Sequence, residues 1–276
     1  MLKQRVITAL WGIPLLVTTI WFGEPWFTIL ITICGVLAAF EFYRLVAGTR
    51  VPPLTYFGLV FTALFIISRN EGLLSSLKPH FNTGTIMPLL LTSGVLLSLV
   101  WLLRRAKEQR AFTSWAWTIA GILYLGWLLG YLVALRDMDG GRNWVFLALF
   151  VTFASDTAAF ITGRTLGRHR LAPNISPSKT WEGTIGGVLG SILVSLFFTL
   201  PTPLQINISW IQAILLGLLV SVFGQLGDLV ESLFKRNMGA KDSGNLIPGH
   251  GGVLDRIDSV VFAGIVVYYY VVWVMQ

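Results

Sequence analysis

The residues best suited to chemistry lie in one stretch near the C-terminus, Ser232 to Ser259, SLFKRNMGAKDSGNLIPGHGGVLDRIDS. It is the one long polar segment in a strongly apolar chain. Lys235, Arg236, Lys241 and Arg256 stand beside Asp242, Asp255 and Asp258, with Gly239, Gly244, Gly249, Gly251, Gly252, Pro248 and His250 between them. Asp228 and Glu231 lie just upstream. Cationic side chains and backbone N–H groups freed by glycine hold phosphate oxygens. Hard carboxylate oxygens hold Mg²⁺, which takes one or two of them plus substrate phosphates. A solvated basic loop needs none of the acidic residues or glycines. Helical spacing adds to the pattern. Asp228, Glu231, Ser232 and Lys235 fall at i, i+3, i+4 and i+7 and share a face, and Asp255, Asp258 and Ser259 do the same at i, i+3 and i+4. Two acidic helix ends joined by a Gly-rich basic loop can converge on one cation, while Lys235, Arg236, Lys241 and His250 neutralise a polyphosphate.

Two further clusters precede this stretch. Ser155-Asp156-Thr157 sits inside an apolar run. A carboxylate at that depth costs a few kcal/mol unless paired, solvated or bound to metal, and points to a functional role in preference to an interhelical hydrogen bond. Asn174 to Gly183 places Lys179 between hydroxyl groups, suited to a phosphate contact or to a turn that starts a helix. It is not a GxxxxGK[ST] phosphate loop, and the chain contains no HExxH, GxSxG or GxGxxG motif. The single cysteine, Cys34, excludes a cysteine zinc cluster and an intrachain disulfide. Asp255-Arg256-x-Asp258 is also not the spaced aspartate motif of the CDP-alcohol phosphotransferases.

The elements that must position these residues are membrane helices. Of 276 residues, 55% are hydrophobic and 12% charged, about half the charge of a soluble domain. The mean hydropathy is +0.74. An all-α, polytopic helix bundle in lipid follows, with about nine transmembrane helices. The spans are 6–22, 25–46, 53–67, 86–103, 114–135, 144–163, 184–200, 209–230 and 254–274. The first resembles a signal peptide but has no cleavage site, and reads as a retained helix. With the N-terminus cytoplasmic, sixteen of the 20 Lys and Arg residues fall inside and four (Arg69, Lys78, Arg136, Arg142) outside. All three polar clusters then share the cytoplasmic face. Residues 1–140 read as scaffold and lipid-access helices, and 141–276 as the catalytic region. Nucleic-acid binding is not implied by the net charge of +7, because the basic residues are dispersed among short loops. Glu41 and Arg44, three apart, read as a structural ion pair. The lone His80 reads as a surface residue. Gly186-Gly187-x-x-Gly190 could pack helices within one chain or between copies, which leaves a homo-oligomer open.

The organising stretch resembles the signature of the phosphatidate cytidylyltransferases. Ser232, Phe234, Lys235, Arg236, Lys241, Asp242, Gly244, Ile247, Pro248, His250, Gly251, Gly252, Val253, Asp255, Arg256, Ile257 and Asp258 match it without departure. Ser155-Asp156-Thr157-x-Ala159-Phe160 and Ile175-Ser176-Pro177-x-Lys179-Thr180-Trp181-Glu182-Gly183 are also similar to that family. The resemblance implies the reaction of CTP with phosphatidate to give CDP-diacylglycerol and pyrophosphate, dependent on Mg²⁺, with a second cation open. Asp228, Asp255, Asp258, Lys235 and Lys241 are the expected catalytic residues. Asp228 and Asp255 are expected on the metal, with Asp156 completing the cation site or ordering a basic residue. Ser176, Lys179, Thr180, Ser232, Arg236, Asp242, His250 and Arg256 are expected to bind substrate. The partners implied are CTP, phosphatidate and membrane lipid, at the cytoplasmic face of a bacterial inner membrane. Two rivals remain: a CTP-dependent transferase or kinase acting on a polyprenol-like alcohol, and an anion transporter. A transporter should carry polar residues near the midplane and on both sides.

Overall fold

The computed structural model of the protein describes residues 2–75, 83–105, 107, 109–249 and 251–275. Lys78, His80 and His250, discussed above, lie outside the described residues. Helices dominate, as they must where no water is present to satisfy backbone N–H and C=O groups. Among the described residues, six helices are long and apolar enough to cross a membrane: Trp26–Gly48, Ile86–Arg105, Ala111–Asp137, Gly141–Thr165, Trp210–Asn237 and Leu254–Met275. Three shorter apolar helices, Leu10–Phe22, Thr55–Ile67 and Trp181–Phe197, accompany them. Large apolar side chains such as Trp11, Phe22, Leu89, Val100, Leu193 and Trp210 are exposed, which suits lipid and not water.

Two compact units divide the chain. The first comprises Met1–Asp137 and Met238–Asp255, the second Met138–Asn237 and Arg256–Gln276. The first contains α1 (Leu2–Phe22), α2 (Trp26–Gly48), α3 (Thr55–Ile67), the short α4 (Glu71–Ser75), α5 (Ile86–Leu102) and α6 (Ala111–Gly121). A π-helical segment, Ile122–Leu128, leads from α6 towards α7 (Tyr131–Asp137). Tyr43 of α2 is fully buried within this unit. The phenol occupies the space where a Cβ on Gly58 of α3 or Gly121 of α6 would sit, at 2.4 and 2.6 Å, and its hydroxyl donates to Thr118 O at 2.8 Å. Two glycines on neighbouring helices thus admit one large side chain, and its polar tip is satisfied.

The second unit contains α8 (Gly141–Thr165), strands β1 (Arg170–Ala172) and β2 (Ser176–Thr180), α9 (Trp181–Phe197), α10 (Trp210–Asn237) and most of α11 (Leu254–Tyr270). The small-residue stripe of α9 lies against α8. A Cβ on Gly190 would lie 2.6 Å from Ala158 Cβ, and one on Gly187 would lie 3.0 Å from Ser155 O. The stripe is therefore used within the chain. Ser155 of α8 meets Ser221 of α10 at 2.7 Å, so the third helix is joined by a buried hydroxyl pair.

Among the described residues, one two-stranded hairpin departs from an all-helical reading. Its strands pair antiparallel, Arg170 with Thr180 and Ala172 with Ser176, around Pro173 and Asn174. A lone two-stranded hairpin is marginal in water. Here Glu182, at the start of α9, accepts from the N–H groups of Arg168 (3.1 Å) and His169 (3.2 Å), with its other oxygen 2.7 Å from His169 Nδ1. From α10, Arg236 Nε donates to Ile175 O at 3.3 Å.

Candidate active site

Within the second unit, α10 supplies the core of the site. The sequence spacing places Asp228, Glu231, Ser232 and Lys235 on one face, and the structure pairs them along it. Lys235 Nζ lies 2.6 Å from Glu231 Oε2, one turn away. Ser232 Oγ donates to Asp228 Oδ1 at 3.3 Å. The approach of α11 is close because Gly227 has no side chain: a Cβ there would lie 2.6 Å from Asp258 O. Asp258 thereby joins Asp228 and Glu231, and one oxygen from each of the three lies within 4.8 Å of the others. Glu231 is fully buried.

Three carboxylates at this separation repel strongly, and the neighbouring cations offset that only in part. Lys179 Nζ reaches Asp228 Oδ2 at 2.7 Å from β2. Lys235 serves Glu231. Asp156 of α8 is within electrostatic reach of Asp228, Lys179 and Arg256. Four acidic groups (Asp156, Asp228, Glu231, Asp258) thus face three cations (Lys179, Lys235, Arg256). The setting is one of hard oxygen donors. A divalent cation fits such a cluster.

The pleat of β2 separates residues that the sequence grouped together. Alternate side chains point to opposite faces of a strand. Lys179 turns to Asp228, whereas Thr180 is buried and caps α9, accepting from Gly183 N–H at 3.1 Å. Ser176 shares the Thr180 side by register. Arg236 Nε donates to the hairpin turn, as described above.

The first unit holds the rest of the signature. There the segment after α10 folds into a closed loop, with Ile247 N–H donating to Gly251 O at 3.0 Å. Gly249 and Gly251 adopt φ of +78° and +85°, which a residue with a Cβ rarely does. The carboxylate of Asp255 organises this loop. It accepts from Ser243 N–H at 3.1 Å and from Gly252 N–H at 2.8 Å. Among the described residues, Asp228, Glu231 and Asp258 form a group that could share one ion; Asp255, expected on the metal beside Asp228, accepts these loop hydrogen bonds. Lys241 and Asp242 are exposed and, with Arg44, Leu45, Gly48 and Ser243–Asn245, line an open cavity of about 450 Å³.

A clustered acidic trio flanked by lysines, with a glycine-rich basic loop beside it in sequence, is the equipment of nucleotide chemistry, and comparison with known proteins agrees. Residues 3–274 match the model of the cytidylyltransferase family. The chain belongs to that family. The phosphatidate cytidylyltransferase of Bacillus subtilis strain 168 is 34% identical over 95% of this chain and 94% of its own length. That of a Synechocystis strain is 34% identical over 98% and 96%. One from Staphylococcus epidermidis reaches 43% identity over 57% and 59%.

Two acidic residues of this cytidylyltransferase escaped the sequence reading. Glu231 was placed on the right face but not among the metal donors, although its i+3 spacing from Asp228 was the available signal. Glu41 was assigned to Arg44. The structure instead buries it, with Oε1 accepting from Val253 N–H at 3.1 Å and Oε2 from Leu254 N–H at 2.9 Å and Ser243 Oγ at 3.0 Å. No local spacing could reveal partners more than 200 residues away.

Proposed function

We propose that the protein is a phosphatidate cytidylyltransferase, which transfers the cytidylyl group of CTP to phosphatidate and releases pyrophosphate. The observation that carries this reading is the trio Asp228, Glu231 and Asp258 with Lys179 and Lys235 directly on its oxygens. The names of the similar bacterial enzymes support the same substrate pair.

A phosphate oxygen of phosphatidate attacks the α-phosphorus of CTP. A new P–O bond forms, the bond to the β-phosphate oxygen breaks, and pyrophosphate leaves with that electron pair. Such transfers depend on positioning and charge neutralisation, with little need for a protein nucleophile. Asp228, Glu231 and Asp258 would hold Mg²⁺, which when bound supplies the charge that neutralises triphosphate oxygens. Asp156, near Asp228, gives room for a second cation. Lys179 and Lys235 orient the acidic groups and are poised to contact phosphate oxygens at the same place. Arg256, exposed in the first turn of α11, and the loop residues Lys241 and His250 are assigned to the substrate phosphates. Asp255 is assigned to holding the loop, and Thr180 to capping α9.

The sixteen-to-four bias of basic residues supports a site on the cytoplasmic face, where CTP is available, in the cytoplasmic membrane of a bacterium. Phosphatidate would enter laterally from the inner leaflet.

Pyrophosphate release by detergent-purified protein tests the reading. Release should need CTP, phosphatidate and a divalent cation together. Turnover with a long-chain alcohol in place of phosphatidate, and none with phosphatidate, would overturn it.

A further inference from the structure

Glu41 is a buried carboxylate that turns away from the nearest cation in sequence. It is 2% exposed in α2, and no ion pair with Arg44 forms. Its two oxygens are given to Val253 N–H, Leu254 N–H and the Ser243 hydroxyl, all within 3.1 Å. The two amides lie at the opening of α11, where N–H groups lack intrahelical acceptors and a negative charge is favoured. Two glycines make the approach possible. A Cβ on Gly244 would lie 2.6 Å from Glu41 Oε1, and one on Gly252 would lie 2.4 Å from Oε2. Both glycines belong to the signature loop. Asp255 grips the same loop through the N–H groups of Ser243 and Gly252. The segment from Ser243 to Leu254 is therefore pinned by two carboxylates. Its leading edge, Ser243 and Gly244, also lines the cavity that contains Lys241 and Arg44.

We propose that Glu41 is a positioning residue for the transfer reaction: it holds the signature loop in the conformation that presents Lys241 to a substrate phosphate. This rests on the reading above that the loop takes substrate phosphate. A glutamine cannot replace it. One of its two terminal atoms would be an NH₂ group directed at backbone donors, and the charge opposite the helix start would be lost. The shared chemistry is a phosphate group, which either CTP or phosphatidate could supply.

The test measures KM for CTP and, separately, for phosphatidate in mixed micelles, together with kcat and thermal unfolding in detergent. Glu41→Gln should raise one of the two KM values by about tenfold or more, the scale expected when buried donors lose their acceptor. The substrate whose KM moves is the one whose phosphate the loop holds. Glu41→Asp keeps the charge on a shorter stem and should fall between wild type and Glu41→Gln, which also covers the case in which Glu41→Gln does not fold. Gly244→Ala should reproduce the KM defect, and should do much less harm when combined with Glu41→Ala, because the three atoms nearest its methyl all belong to Glu41. Both KM values within twofold of wild type in the folded variants, with any loss confined to the amount of active protein, would overturn the inference. So would equal effects of Gly244→Ala in the two backgrounds. Absence of turnover in the wild-type protein would instead overturn the proposed function itself.

Discussion

Replacing Glu231 by glutamine should separate cation binding from folding. The side chain is fully buried, so the outcome depends on what its charge meets. Oxygens of Asp228 and Asp258 lie within 4.8 Å, and Lys235 Nζ lies at 2.6 Å. At an effective dielectric constant of about 20, a repulsion at the 4.8 Å limit amounts to about 3.5 kcal/mol and the attraction to about 6 kcal/mol. Without a cation, two repulsions and one attraction nearly cancel. Glu231→Gln should then unfold within about 3 °C of wild type in EDTA, a shift of about 1 kcal/mol or less. With the cation the balance is lost, because one of three negative donors is missing. The Mg²⁺ concentration for half-maximal pyrophosphate release should rise at least about tenfold, equivalent to about 1.4 kcal/mol. Thermal unfolding in EDTA and an Mg²⁺ titration of turnover are the two assays. An unchanged Mg²⁺ dependence in active Glu231→Gln protein would refute the assignment of the ion to this trio. A collapse of stability in EDTA would refute the charge balance.

Three other substitutions probe the surroundings. Lys179→Met removes the cation 2.7 Å from Asp228 and should lower kcat on the order of a hundredfold while the protein remains folded, as measured by turnover at saturating CTP. Thr180→Val removes the cap of α9 and should cost about 1 kcal/mol in thermal unfolding, with both KM values unchanged; a raised KM would instead put the hydroxyl on substrate. Gly190→Val forces a side chain into Ala158 and should destabilise by about 1–3 kcal/mol, again without altering the Mg²⁺ dependence of the folded protein.

The helices were legible because lipid imposes a simple rule: long apolar runs must satisfy their own backbone. The Asp228–Lys235 face was legible because helical spacing converts directly into geometry. The hairpin was not. Ser-Pro-Ser-Lys-Thr has no apolar alternation, and its strands are held by Glu182 and Arg236, which lie outside them in sequence. Lys179 and Asp228 are 49 positions apart, so only the packing of α9 between α8 and α10 could reveal their pairing. Glu41 shows the same limit more sharply. Its spacing from Arg44 suggested a local pair, but in the buried setting the unsatisfied amides at the start of α11 compete for the carboxylate and win. Asp255 was read as a metal donor from its helix-end spacing with Asp258 and from the family resemblance. It also accepts from Ser243 and Gly252 N–H groups in the loop, which spacing along a helix cannot show.

The most direct test follows the label. CTP carrying ³²P at the α or the γ position is incubated with phosphatidate, a divalent cation and the purified protein, and the lipid fraction is counted. The account predicts α-label in the lipid and γ-label in free pyrophosphate, with neither transferred when phosphatidate or the cation is omitted. Label from the γ position in the lipid would mean a kinase. Its absence from the lipid at both positions with phosphatidate present would contradict cytidylyl transfer to that lipid.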